Sequence, residues 1–441
     1  MDDMYGRRQV LKAGLGGLAA LTTLGLVGCD APTTTQAGTQ GPITLQMTFW
    51  GSTTRDALTK QAINLFQKSH PNITVHAQFK DFNSYWTWLD KDFYAKGNPP
   101  DLIQMDMRYL SQFVRQQKLL DMTQMIYNQA IDLSDYDPSL LASSKANNTI
   151  YGIPMGGNYQ SWLYDKTAVG NTTLGPPPSG VTWDEFASYT TELTKALGNG
   201  MFGFWDGSGD IASFELWVRG RGKELYDRDG NVAFELDDVV SWYNYWDKLR
   251  KSGTSPPMNI TSKYDISGQP QDSSLINGKT AFLMAWSNQF EAYQKASKHT
   301  LDVITPPRGP KPDMYLKASM LLSISAATKY PQAAASFVNF LNNDPGALKA
   351  LGVERGVPGP AQARQMLAPQ LGPNQLRSLV YVNSVSASGI ASVKQVLDPP
   401  GAGKIGDTLR KVSQDIGFGR TTVTDGAQSF LNQAKQIVAQ S

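Results

Sequence analysis

Apolar and polar residues alternate at Ile43, Leu45, Met47 and Phe49, which predicts a strand ending at Trp50-Gly51. Leu58, Ala62, Leu65 and Phe66 then recur at helical spacing until His70-Pro71 stops them. Alternation returns at Ile73, Val75, Ala77 and Phe79. A second helical stretch follows over roughly residues 84–96 and ends at Gly97. Pro100-Asp101-Leu102-Ile103-Gln104-Met105-Asp106 supplies a short apolar strand that finishes on a carboxylate. Strand, helix, strand, helix, strand predicts a mainly parallel sheet with right-handed crossovers. Ligands of such sheets sit beyond the carboxyl ends of the strands. Trp50 and Asp106 fall at that end.

The pattern continues past a second start near Ile150-Tyr151-Gly152-Ile153-Pro154. Thr182-Trp183-Asp184-Glu185 has the spacing of a capping box and opens a helix carrying Phe186, Tyr189, Leu193 and Leu197 up to Gly198. Asp227 to Asn231 reads as a hairpin turn; it lacks the ligand spacing and closing Glu of a calcium loop. Val239, Trp242, Tyr243 and Trp246 share one helical face and read as core. Residues 301–312 are proline-rich. Beyond them come an apolar strand over 320–325 and a helix opened by Pro331 that carries Phe337, Phe340 and Leu341. No internal repeat is visible.

The first residues read differently. Arg7-Arg8 and Lys12 form a basic start, and an apolar stretch over 13–27 follows that is too short for a comfortable transmembrane helix. It ends Leu26-Val27-Gly28-Cys29, which resembles a bacterial lipobox. Residues 1–28 are therefore expected to be a signal peptide, by the Sec or the Tat route, with Cys29 as the lipidated residue. A buried cysteine and an uncleaved anchor are the alternatives. Gly14-Leu15-Gly16-Gly17 follows no strand and is no nucleotide fingerprint. Residues 30–42, rich in Thr, Gly and Pro, read as a flexible tether.

Composition narrows the chemistry. A chain of 441 residues predicts two or three domains or lobes. With 40 Lys+Arg against 38 Asp+Glu, there is no basic field for nucleic acid. One cysteine excludes an internal disulfide framework, and with three histidines it excludes most zinc and Cys/His schemes. No metal or cofactor is expected. G-x-S-x-G, H-E-x-x-H and G-x-x-x-x-G-K-[ST] do not occur. A secreted glycoside hydrolase remains as a rival because Asp184, Glu185, Asp206, Asp210 and Glu215 supply carboxylates from which a pair would have to converge. A surface-binding lipoprotein without a transported ligand is a second rival.

Four stretches, ITLQMTFWG (43–51), PDLIQMD (100–106), YGIPMGGNYQSWLYDK (151–166) and INGKTAFLMAW (276–286), resemble the extracellular solute-binding lipoproteins of sugar ABC transporters, the family 1 group that includes maltose-binding proteins. SISAATKYPQAAASFVNFL (323–341) and ERGVPG (354–359) extend the resemblance to a C-terminal signature. The chain departs from the family pattern at Lys317-Ala318, where a glycine pair is usual. The resemblance implies an α/β, type II periplasmic-binding-protein-like fold: two α/β lobes with a hinge and an interlobe ligand cleft. One lobe would combine 43–154 with 304–355, the other 155–303 with 356–441. It also implies a non-enzymatic, monomeric, lipid-anchored protein on the extracytoplasmic face of the cell membrane. Such a protein takes up a sugar or oligosaccharide and delivers it to a permease.

A sugar has an apolar face that stacks on aromatic rings and a rim of hydroxyls that need charged or amide partners. Trp50 and Asp106 are ligand candidates by position, with a core tryptophan and a helix N-cap as their alternatives. Asn158 and Tyr159 lie in a segment that crosses the cleft in the resemblance, or they make only loop hydrogen bonds. Trp286 falls where the family often places a stacking aromatic. Trp205 and Asp206 sit in a glycine-rich loop, FGFWDGSGD, that is either a platform or a turn. Glu215 and Trp217 follow on the next helix. Arg355 stands where the family can aim an arginine into the cleft, and a salt-bridged arginine is the alternative.

Overall fold

The computed structural model describes residues 41–441 apart from 143, 147–148, 177–179, 199, 265–268, 393, 395 and 441. The signal segment, Cys29 and the tether up to residue 40 lie outside the described residues.

The first sheet has five strands. Ile43–Trp50 lies between Ile73–Lys80 and Leu102–Met105 and pairs in parallel with both. The helices that connect them, Thr53–Ser69 among them, make those crossovers possible. Leu321–Ile324 then pairs antiparallel with Leu102–Met105, and Ile153–Pro154 closes the edge, also antiparallel to Leu321–Ile324. The sheet is thus mixed where the periodicity predicted a mainly parallel one. The late strand returns from a second sheet without a crossover helix, so it runs the other way. The predicted second helix is also composite: Phe82–Trp88 is α-helical and Leu89–Tyr94 continues as a π-helix before Gly97, at φ 67, ends it.

Alternation along Ile43–Trp50 sends side chains to opposite faces. Leu45, Met47 and Phe49 join a core with Phe66 and Phe337. Trp50 faces the other way, into a cluster with Tyr85, Trp86, Met105 and Phe113.

The second sheet has three antiparallel strands, with Gln160–Asp165 between Leu301–Ile304 and Phe282–Trp286. Leu301–Ile304 opens the segment that read only as proline-rich; Pro306 and Pro307 follow it and its alternation is too short to show as a strand. Around this sheet lies a core dominated by Trp162, Phe186, Phe204, Trp242 and Trp246, closed by helices Ala402–Gly417 and Val423–Ala439. The capping box forms as the spacing predicts, with Glu185 N–H donating to Thr182 and Thr182 N–H donating to Glu185.

The chain passes between the two sheets where three segments meet. Gly157–Asn158 pairs antiparallel with Lys317–Ala318, and Gly157 N donates to Val357 O at 2.7 Å while Val357 N returns a bond at 3.1 Å. No described helix is long and apolar enough to cross a membrane.

Candidate ligand-binding site

The carboxyl end of Leu102–Met105 delivers Asp106 to the seam between the two cores. Its side chain caps helix Met107–Arg115 by accepting Arg108 N–H at 2.9 Å, and it is 5% exposed. The ammonium of Lys317 donates to its other oxygen at 3.0 Å and lies 5.0 Å from the centre of the Trp286 ring. Burial pushes the Asp106 carboxyl up, but Lys317 and Arg108 outweigh it and hold it below the usual carboxylate range. Trp286 itself is half-buried at the end of its strand. Lys317 pairs through its backbone with Asn158, whose Oδ1 accepts from Ser287 Oγ at 3.3 Å; the same Oγ accepts Tyr159 N–H. Asp106, Asn158, Tyr159 and Trp286 therefore gather around Lys317 and Ser287.

Across the seam, helix Ile211–Arg219 presents Glu215. It accepts from Tyr315 Oη at 3.0 Å and pairs with Lys394 Nζ at 2.7 Å, and Lys394 also holds Asp398 at 2.7 Å. Burial pulls the Lys394 ammonium down, yet Asp398 and Glu215 together hold its pKa well above the ordinary lysine range. Burial works against the charged form of Arg108, yet Asp106 and Asp398 both favour it and hold its pKa above the ordinary arginine value. Beside Lys394 opens a cavity of about 880 Å³, bounded by Arg115 and Lys145 on one wall and Arg228 and Pro399 on the other. That volume lies within the range of small-molecule pockets.

The remaining sequence candidates are placed apart from these groups. Trp50 packs edge-on against Phe82 and Tyr85, with Trp86 tilted beside it at 5.5 Å. Trp217 packs among Trp183, Trp242 and Tyr245 and donates to Ser241 at 3.2 Å. Trp205 and Asp206 border a separate small cavity of about 110 Å³; Asp206 accepts from Ser208 and pairs with Arg250 at 2.8 Å. Arg355 points into the first core rather than the seam, donating to Thr59 at 2.7 Å and Gln104 at 3.3 Å. Burial and the neighbouring Arg55 pull its guanidinium down to about 9. It is Arg55 that forms the local ion pair, with Glu354 at 2.8 Å.

Of the carboxylates a hydrolase would draw on, Glu185 closes the capping box, Asp210 caps helix Ile211–Arg219, and Asp206 is tied to Arg250. Asp184 is exposed in the first turn of helix Trp183–Leu197, and Glu215, which reaches the seam, is ion-paired. Among the described residues no group of three or more His, Cys, Asp or Glu side chains is placed to hold a metal ion.

Arg108, Tyr315, Lys394 and Asp398 were not singled out by pattern. Lys394 and Asp398 sit in an irregular stretch between helices Pro373–Ser388 and Ala402–Gly417, where no periodicity marks a side chain's direction. Lys317 carried a signal, as the departure from the family's glycine pair.

Known proteins share this architecture. A solved extracellular solute-binding protein family 1 from Alicyclobacillus acidocaldarius is 30% identical with a TM-score of 0.71, covering 90% of this chain and 99% of that one. A periplasmic oligogalacturonide binding protein from Yersinia enterocolitica, solved with saturated digalacturonic acid, superimposes with a TM-score of 0.77 over 90% of this chain and 99% of its own at 22% identity, a likeness of fold. An uncharacterised ABC transporter extracellular-binding protein from Pyrococcus horikoshii is 27% identical over 249 residues, 54% of this chain and 57% of that protein. The chain thus spans only about half the length of the curated relatives it matches. The fold is that of the type II periplasmic binding proteins. Residues 50–348 match the sequence model described as bacterial extracellular solute-binding protein, and the chain belongs to that family.

Proposed function

We propose that this protein is the solute-capturing component of an ABC importer, that its solute is a carbohydrate, and that it performs no catalysis. The observation that carries the reading is the seam itself. A half-buried Trp286 face lies next to Asp106, Lys317 and Asn158, opposite Glu215, Tyr315 and Lys394. An aromatic face ringed by charged and amide groups suits a pyranose, which is apolar on its faces and polar at its rim. The Yersinia neighbour's digalacturonic acid supports the same class.

In this reading 43–154 with 304–355 form one lobe, 155–303 with 356–441 form the other, and the three-segment crossing is the hinge about which they close on solute. Cys29 carries a lipid, residues 30–42 act as a tether, and the monomer presents its closed form to a membrane permease. The carboxylates engaged in caps and ion pairs speak against the hydrolase alternative.

The test is a melting series of the detergent-solubilised full chain, followed by tryptophan fluorescence, against mono- and oligosaccharides, polyols and amino acids. A true ligand at 100 times its dissociation constant adds about 2.7 kcal/mol of stability. A shift confined to carbohydrates, with the sugar recovered intact, is the expected result. A shift with amino acids alone would overturn the solute class, and hydrolysed sugar would restore the enzyme reading. In cells, Cys29→Ser should move the protein from the membrane to the soluble extracytoplasmic fraction; retention at the membrane would remove the anchor.

A further inference from the structure

The 880 Å³ cavity is more basic than the chain as a whole. Over the whole sequence 40 cationic side chains meet 38 carboxylates, yet the cavity wall brings together Arg115, Lys145, Arg228 and Lys394 against Asp229 alone. Lys394 is neutralised by Glu215 and Asp398. Arg115, Lys145 and Arg228 are exposed and make no ion pair among the described residues. They also come from opposite walls: Arg115 ends helix Met107–Arg115 and Lys145 follows the first core, while Arg228 stands in the turn before the aromatic helix of the second.

Three unpaired cations drawn together across one cavity repel one another, and nearby low-dielectric walls focus that field. An anion entering between them removes the repulsion and bridges the walls. The floor is apolar, with Val114, Leu397, Pro399 and Pro400, so the ligand also has a hydrocarbon face. Guanidinium groups match planar carboxylates through two parallel hydrogen bonds. These features together describe a saccharide that carries carboxylates.

We propose that the solute is an acidic oligosaccharide whose carboxylates lie between Arg115 and Lys145 on one wall and Arg228 on the other. The proposal rests on the carbohydrate-binding reading above and narrows it. Discrimination between acidic and neutral sugars then belongs to these three residues, while Trp286 and the Asp106–Lys317 pair serve the ring and its hydroxyls. Because the cations are solvent-exposed, their contribution is screened by salt.

The experiment measures binding of digalacturonate and of neutral digalactose to the full chain by calorimetry, in the wild type and in R115Q/K145Q/R228Q. Digalacturonate should bind about tenfold or more tightly than digalactose. The preference should collapse in the triple variant and shrink as salt is raised to about 0.5 M. Among the described residues the three side chains make no ion pair, and removing their charges relieves their mutual repulsion, so the unliganded variant should melt with the wild type or slightly above it. The salt titration of the wild type gives an independent reading if it does not. Equal or tighter binding of digalactose, or a preference that survives both the substitutions and the salt, would overturn the acidic solute and leave the carbohydrate reading standing. Binding of neither sugar, with a non-carbohydrate solute stabilising the protein, would overturn both.

Discussion

Asp313 and Asp106 are buried carboxyls pushed in opposite directions. Asp313 is 2% exposed, and Gly309 N–H at 2.9 Å is the donor to its side chain. Burial raises its pKa to about 6 despite that bond. A raised carboxyl contributes stability that is fully present below the unfolded pKa near 4 and is lost as the pH climbs through about 6. Asp106 works the other way: its contribution is present above about pH 4 and disappears as acid protonates it below that value. Asp313→Asn should therefore stabilise the protein by about 2 kcal/mol at neutral pH and by nearly nothing near pH 4. Urea titrations across that range check it. An advantage of equal size at both ends would mean that the gain comes from packing and not from titration. At this scale the sequence was partly legible. Asp106 could be singled out because it follows the carboxyl end of a parallel strand, whereas Trp286 was singled out only through the resemblance, which places a stacking aromatic there. Lys394 and Asp398 could not, because Glu215, to which Lys394 pairs, lies about 180 residues away in sequence and the stretch around them is irregular.

The elements show what periodicity fixes and what it leaves open. Helix Leu236–Lys251 turns Val239, Trp242, Tyr243 and Trp246 inward, and all four are fully buried. Trp246 stacks on Phe204 at 5.1 Å and meets Trp242 and Tyr245 edge-on. It is a packing residue of the second core, set apart from the seam. Trp246→Ala should cost about 3–5 kcal/mol in denaturant unfolding, while the folded variant keeps its ligand affinity. An affinity loss beyond the effect of instability would place this helix in the site. Glu215 and Trp217 lie on one helix, yet Glu215 turns to the seam while Trp217 packs into the core. The three parallel strands were legible because helices of full length separate them. The strand at Leu321–Ile324 was legible too, but its antiparallel direction was not, because a short apolar run carries no sign of its direction. Only the long excursion through the second sheet determines that direction.

At the scale of the whole molecule, the crossing of residues 156–158, 317–319 and 355–357 is the hinge in the function proposed above, where relative motion of the two cores would be absorbed. Ser319 donates to Gly156 O from both its N–H and its hydroxyl at 2.9 Å, which keeps the segments in close register. Gly356 stands at φ 111, a conformation L side chains rarely adopt. A Cβ there would lie 2.8 Å from Ser319 Oγ and 3.1 Å from Asn158 Oδ1, so the crossing has no room for one. Gly356→Ala should therefore cost about 2 kcal/mol of stability and should also weaken ligand, although Gly356 borders none of the cavities at the seam. Gly389 separates strain from hinge action. It too has a positive φ, at 72, but ends a helix with nothing within 4 Å of its would-be Cβ. Gly389→Ala should lower stability through backbone strain alone and leave affinity and ligand-induced compaction in X-ray scattering as they are in the wild type. If both variants bind and compact alike, the crossing is a rigid joint and closure on solute must be sought elsewhere. If only Gly356→Ala loses affinity and compaction, the hydrogen-bonded crossing is the hinge, and solute capture depends on backbone freedom at a glycine that never touches the solute.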